Sequence, residues 1–355
     1  MRYRDTRFYG WTARFGLGAR VGAAALLWFA LVAALHLWVN REETGRTVLR
    51  MGYMPVISNL AAPLLDFASK DGGGLRFTAM KFSSFAEMGE ALRNGSIDAA
   101  FIIAPLAVVL RRQGEDVRIV AIGNRHESTL VVRKDLPARS FADLAGRTLA
   151  VPMRFSGHFL CVKRLAEKYG IEDKLKIVEM PPPDMAAAMA AGALDAYFVG
   201  EPMAAKTIVA GQSRVLFYVE EQWPGFICNL VLVRGDLVRK HPEQVAALVQ
   251  GAARAGLWAA GHVKEAAGIA SKYWGTPRPI VEYALSTPPN RIVYDRYTPV
   301  ESEIKELADA MARFKLISTA DIRGLVEPRF AKAADMTGVT GFASILKPVR
   351  NAGRL

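Results

Sequence analysis

The chain has 355 residues, 51% hydrophobic and 23% charged, with two cysteines and a formal net charge of +12. That composition excludes a disordered polar chain and a disulfide-stapled miniprotein. At ~100 to 200 residues per domain, the length holds two lobes and a terminal segment, and each lobe is long enough to bury a core.

The charge is uneven from the start. Residues 1–20 carry Arg2, Arg4, Arg7, Arg14 and Arg20 against Asp5 alone, and the run from Val21 to Asn40 has no charged side chain before Arg41. A charge-free stretch of ~20 residues is the length a helix needs to cross a bilayer, and a basic flank marks the cytoplasmic side. Residues 21–40 are therefore expected to form a transmembrane anchor behind a cytoplasmic flank at 1–20, with the rest exported. A cleaved signal peptide is the rival reading, since Val32 and Ala34 make a small-residue cleavage site.

Beyond the anchor, short strands alternate with helices. Val48–Met51 leads through Gly52 to a helix around Leu60–Ala68, and Phe77–Met80 leads to a helix opened by an S-x-x-E capping box, Ser84 and Glu87. Phe101–Ile103 and Ile119–Ile122 are continuous apolar runs of the kind buried on both faces of a parallel sheet, which sets the class as α/β. The segment Ala91–Ile102 is echoed by Ala188–Val199: each reads as a helix stopped by glycine (Gly95, Gly192), then Asp-Ala and a strand. One supersecondary unit thus occurs in each of two lobes.

Thr129–Val132 and Leu230–Val233 are look-alike strands bracketing about a hundred residues, as expected where an inserted domain is entered and left. The lobes are placed at 47–130 with 232–330, and at 131–231, leaving 331–355 as a C-terminal tail. Within the second lobe, Ser140 and Asp143 cap a short helix that Gly146 ends, and 241–316 reads as mostly helical.

Strong catalytic signatures are missing: no HExxH, P-loop, CxxC or GxSxG, and the histidines and cysteines lack metal-ligand spacing. Neither catalysis, a metal nor a cofactor is expected, and no basic and aromatic interleaving points to nucleic acid. What remains are loops at strand ends, where open α/β sheets hold ligands. They carry Pro55, Ser58 and Asn59, then Ser83 and Ser84, then Asn124, Arg125 and His126, and in the second lobe Arg154, Phe155, Ser156 and His158. All but the third loop precede a helix whose free N–H groups favour an anion, and the arginines and histidines add charge. The serines and Asn59 equally fit plain helix caps, and the arginines solvated surface charges.

Three further stretches carry a resemblance. Val151–His158 (VPMRFSGH), Met180–Met185 (MPPPDM) and Asp195–Pro202 (DAYFVGEP) look like the solute-binding proteins of nitrate and bicarbonate ABC importers. Gly52-Tyr53-Met54-Pro55 and Phe141–Arg147 extend the likeness to the wider sulfonate, nitrate and thiamine-precursor binding superfamily, over about residues 47–330. The resemblance implies a type II periplasmic-binding-protein fold, two α/β lobes joined by a two-strand hinge. It implies a protein on the periplasmic side of the inner membrane that closes on a small anion (nitrate, bicarbonate, sulfonate or a similar organic anion). The solute would pass to an ABC permease and its ATPase. Ser156 and His158 match the positions that contact the anion, and Glu201 with Pro202 the Glu-Pro of the following helix. In one place the chain departs: where the nitrate type carries a lysine after a tryptophan, Trp223 is followed by Pro-Gly-Phe-Ile-Cys, and Asn229 falls near the lysine position. A dipole in place of a full charge would admit a larger organic anion or a polar ring stacked on Trp223 or Phe155. Two other classes stay open: a membrane-tethered sensor or docking protein of the same fold, and an enzyme of the thiamine-precursor type. Whether Cys161 and Cys228 pair is also open.

Overall fold

The computed structural model describes residues 16–39 and 45–349. The flank residues Arg2, Arg4, Asp5, Arg7 and Arg14, and Arg41–Glu43, lie outside the described residues. The chain divides into two compact units, Met1–Arg46 and Thr47–Leu355.

The first unit holds one helix, α1 (Leu17–Val39). Its large apolar side chains, among them Leu26, Leu27, Trp28, Phe29 and Leu31, are exposed. Among the described residues no helix is long and apolar enough to cross a membrane. The anchor expected at 21–40 is thus not a finding of the structure.

In the second unit β1 (Val48–Tyr53) runs through a 3₁₀ turn at Ile57–Asn59 into α2 (Ala61–Ser69), β2 (Arg76–Lys81) into α3 (Phe85–Arg93), and β3 (Ala99–Ile103) into α4 (Ala104–Arg112) and β4 (Val117–Ile122). The chain then crosses to a second sheet through β5 (Ser128–Arg133), β6 (Thr148–Val151), α5 (Gly157–Tyr169), β7 (Lys176–Glu179), α6 (Pro182–Ala190), β8 (Ala196–Gly200), α7 (Met203–Val209), β9 (Ser213–Tyr218) and α8 (Val219–Gln222). It returns through β10 (Asn229–Arg234) and continues into α9 (Gly235–Lys240), α10 (Pro242–Gly261), α11 (Val263–Trp274), α12 (Arg278–Ser286), α13 (Glu301–Arg313) and α14 (Arg329–Ala333).

The sheets have matching orders, β2-β1-β3-β10-β4 and β7-β6-β8-β5-β9. The apolar runs suggested purely parallel sheets; each sheet is instead mixed. β10 is antiparallel to both β3 and β4, and β5 is antiparallel to both β8 and β9. The reversed strand of each sheet is the one by which the chain arrives from the other. Burial on both faces makes β3, β8 and β10 read as continuous apolar runs whichever way they pair. Strand Ser128–Arg133 lies in the second sheet and Asn229–Arg234 in the first, so the chain changes sheets at 123–127 and 223–228.

The sequence echo is a structural one. Gly95 and Gly192 take φ of 78° and 74°, the left-handed region that a Cβ resists. The Asp98 carboxylate accepts from Arg50 N at 2.9 Å and Asp195 from Thr148 N at 2.9 Å, so each aspartate holds the neighbouring parallel strand. Ser84 caps α3, accepting from Ala86 N and Glu87 N, whereas the Glu87 carboxylate takes the Ser83 hydroxyl at 3.1 Å. The reciprocal half of the expected capping box is therefore diverted. At Ser140 and Asp143 the box is complete.

The C-terminal tail is packed through residue 349. Ile345 is buried, and the buried Arg254 guanidinium of α10 donates to the carbonyls of Ser344, Asp335, Thr337 and Gly338. Cys161 and Cys228 are both buried and free.

Candidate ligand site between the two sheets

The two crossovers run side by side. Arg125 bridges Ile227 and also Val293, and His126 N donates to Phe226 O at 3.1 Å. Arg125 and His126, expected to face an anion, are spent on this junction. The Arg125 guanidinium, 2% exposed, donates to Arg296 O (3.1 Å), Gly225 O (2.8 Å) and the Glu303 carboxylate (2.8 Å). His126 Nδ1 donates to Arg291 O at 3.0 Å and its Nε2 accepts from Gly225 N at 3.1 Å, which requires the neutral Nδ1–H tautomer. Charge at this point of the sequence clamps the hinge.

Other chosen residues are also accounted for by the fold. Arg154 is exposed and pairs with Glu179 through Nε at 2.7 Å, so it is a surface ion pair. Ser156 caps α5, accepting from Phe159 N at 3.1 Å and donating to Met153 O at 2.6 Å. Ser83 and Ser84 serve the start of α3, as above. Phe155 and Trp223 pack half-buried against the core, and the Arg164 guanidinium lies 4.6 Å over the Trp223 ring. Glu201 is buried, its carboxylate accepting from Thr129 Oγ1 at 2.7 Å and Ala205 N at 2.8 Å. Its carbonyl accepts from Ile57 N at 2.7 Å, which joins the loop after β1 to the second sheet beside the half-buried Pro55.

What is left after this accounting is a compact set. Ser58, Asn59, Asn124, His158, Asn229 and Tyr294 are all buried and carry polar atoms with no hydrogen-bond partner in the protein. Buried polar groups are otherwise paired almost without exception. Proximity follows from the contacts around Cys228, whose thiol donates to Asn229 Oδ1 at 3.5 Å and lies against the Glu127 carboxylate and the Ser58 and Ser128 hydroxyls. Gly123 sits so close that a Cβ there would stand 2.6 Å from Ser58 O and 3.5 Å from Asn229 O. That brings Asn124 to the same point. His158 joins through Nε2 to Ser128 Oγ at 3.0 Å, and Tyr294 through the field of Glu127.

The unpaired atoms are mostly donors. Asn59 Oδ1 is taken by Met54 N at 2.7 Å and Asn229 Oδ1 by the Cys228 thiol, so each amide presents its nitrogen. Ser58 and Tyr294 offer hydroxyls, and Asn124 has both amide ends free. His158 lies edge-on to Phe198 and Phe226, and burial pushes its pKa down to about 3, so it is a neutral imidazole. Burial pushes the Glu127 carboxyl up to about 7 and raises Glu201 as well. Of the chosen residues, the fold thus gathers Ser58, Asn59, Asn124, His158 and Asn229. Glu127, Cys228 as a site wall, and Tyr294 were not singled out. Glu127 is the next residue after Arg125 and His126, and an acidic side chain there did not fit the search for positive charge.

Comparison with known proteins supports this architecture. The taurine-binding periplasmic protein of Escherichia coli is 30% identical over 191 residues, covering 52% of this chain and 58% of that protein; the match thus spans a little over half the relative's length. A putative aliphatic sulfonates-binding protein of Bacillus subtilis is 24% identical over 274 residues, covering 74% of this chain and 79% of that one. A solved ligand-binding component of an ABC-type import system from Staphylococcus aureus superposes with TM-score 0.73 at 21% identity, over 82% of this chain and all (100%) of that one. The desulfurization enzyme DSZB has the same fold at TM-score 0.57 and 19% identity, over 81% of this chain and 98% of that one. Fold alone therefore does not separate binding from catalysis. The sheets and helices are those of the periplasmic-binding-protein fold, and with a match to the NMT1-like family over residues 42–273 the chain belongs to that family.

Proposed function

We propose that this protein is the extracytoplasmic solute-binding component of an ABC importer, taking a small oxyanion between its two sheets and passing it to a permease driven by an ATPase. One observation carries the reading: Ser58, Asn59, Asn124, Asn229 and Tyr294, on the segments that meet at the crossovers between the sheets, keep buried amide and hydroxyl groups without a partner. Neutral donors suit an oxyanion, whose oxygens accept hydrogen bonds from amides and hydroxyls without a neighbouring full charge. The doubt that the Asn229 dipole casts on nitrate deepens, because Arg125, His126 and Arg154 are also spent elsewhere. A binding role is favoured over catalysis because burial raises the Cys228 thiol well above its ordinary value, which leaves that thiol a poor nucleophile.

Retention at the inner membrane through the N-terminal segment belongs to the same proposal, supported by the exposed apolar side chains of α1 and the basic residues before it. Carbonate extraction of membranes tests it, the protein staying in the pellet. For the ligand, a thermal-shift screen over alkanesulfonates, aminosulfonates, nitrate and bicarbonate is decisive. A solute at a hundred times its Kd adds about 2.7 kcal/mol of stability. No shift with any oxyanion would end the reading.

A further inference from the structure

Glu127 is a second acidic feature that an anion site does not need. It precedes β5, is fully buried, and takes a left-handed φ of 63°. One carboxylate oxygen accepts from Glu201 N at 2.8 Å, the other has a distant Ser128 hydroxyl at 3.5 Å, and the Cys228 thiol lies within hydrogen-bonding reach of the carboxylate. An ionised carboxylate has about four acceptor positions, so Glu127 retains acceptor capacity. Among the described residues no lysine, arginine or histidine forms an ion pair with it. Arg291, the nearest cation by its field, is spent on Ser128 O, Thr129 Oγ1 and Glu220. Glu127 meets Cys228, which also touches Ser58 and Asn229. The spare acceptor therefore lies beside the free donors.

We propose that Glu127 is the specificity-determining residue of this site, accepting a hydrogen bond from the solute, so that the solute is an oxyanion that also carries an N–H or O–H group. The inference rests on the oxyanion reading above. Solute oxygens meet the amides and hydroxyls, and the polar hydrogen meets Glu127. An anion with no polar hydrogen would bring its charge against a buried carboxylate that has nothing to accept, and that pairing is penalised on both counts. A site built to bond a polar hydrogen rejects analogues lacking it far more strongly than a hydrophobic pocket rejects a change of size.

Titration calorimetry on the full-length protein at pH 8 tests this with near-isosteric probes: 2-aminoethanesulfonate, 2-hydroxyethanesulfonate and 1-propanesulfonate. The expected result is binding of the amino and hydroxyl probes about tenfold or more tighter than 1-propanesulfonate. In Glu127→Gln, which keeps the shape and removes the charge, the gap should narrow to about threefold or less as 1-propanesulfonate gains. Equal binding of all three by the unaltered protein, or an unchanged gap in a Glu127→Gln variant that melts cooperatively, overturns the assignment and leaves the oxyanion reading standing. Binding of none overturns both. If the variant does not fold, the ranking of probes by the unaltered protein decides alone.

Discussion

The two sheets share one topology, yet their facing ends are used differently. Loops at the ends of the first sheet bring Ser58, Asn59, Asn124 and Asn229, each with a buried polar atom left over. Corresponding residues of the second sheet are engaged by the fold: Ser156 caps a helix, Arg154 pairs with Glu179, and Glu201 accepts from Thr129 and Ala205. Among the described residues, the second sheet's side contributes an unpaired buried atom through His158. A repeated fold thus leaves spare polar atoms mainly on one sheet and pairs those of the other, and the crossovers between them absorb the charge of Arg125. The difference teaches that residue type at a strand end indicates a site only once local partners have been subtracted.

The largest expected effect belongs to the hinge. Arg125→Met strips a buried guanidinium from three acceptors, and stability should fall by about 3 kcal/mol. Calorimetric melting gives the loss, while affinity measured on the folded fraction stays near the unaltered value if Arg125 is a clamp and not a ligand contact. Next comes the recognition face. Asn124→Ala should weaken oxyanion binding by about ten- to a hundredfold, the worth of a hydrogen bond to a charged group, with little change in melting, since neither end of its amide bonds the protein. Retained affinity would move recognition off the first sheet.

A smaller effect concerns pH. Glu127, raised to about 7 in the fold, adds stability below its unfolded pKa of about 4.5 that is lost as pH rises through 7. His158, lowered to about 3, adds stability above about 6.5 that is lost as pH falls toward 3. Between pH 4.5 and 6.5 the two slopes oppose. Glu127→Gln should leave stability rising with pH across that window and His158→Phe should leave it falling, each by at most about 1.4 kcal/mol per pH unit. Parallel profiles in the two variants would show that the pair is not the source. Smallest of all, Arg154→Ala should leave affinity within about twofold of the unaltered protein, because its exposed ion pair is screened by water. A larger loss would restore the second sheet as a recognition face.

Much of this was legible beforehand. The helix–glycine–Asp-Ala–strand echo is local in origin, since the glycine conformation and the aspartate bonds are set within a short stretch and its neighbouring strand. Asn59 and Asn124 stand in loops at strand ends, where polar residues have few local roles, and Asn229 is legible only through the resemblance, near the position where the nitrate type carries a lysine. Arg125, His126 and Arg154 misled because charge was read as ligand charge, while their partners sit far along the chain: Glu303 and Arg296 for Arg125, Arg291 for His126 and Glu179 for Arg154. Glu127 and Tyr294 went unseen for the same reason, their role arising only where two distant segments meet.

The sequence by itself determined the alternation of strands and helices, the repeat of one unit in two sheets, the apolar N-terminal run and the family. These depend on periodicity and on residues near one another in the chain. Only the tertiary structure decided which strand of each sheet is reversed, which arginines are spent on the hinge, and which buried atoms remain unpaired. Whether a donor is satisfied depends on partners 25 residues away for Arg154 and 178 for Arg125, and a single sequence does not record which distant segments meet.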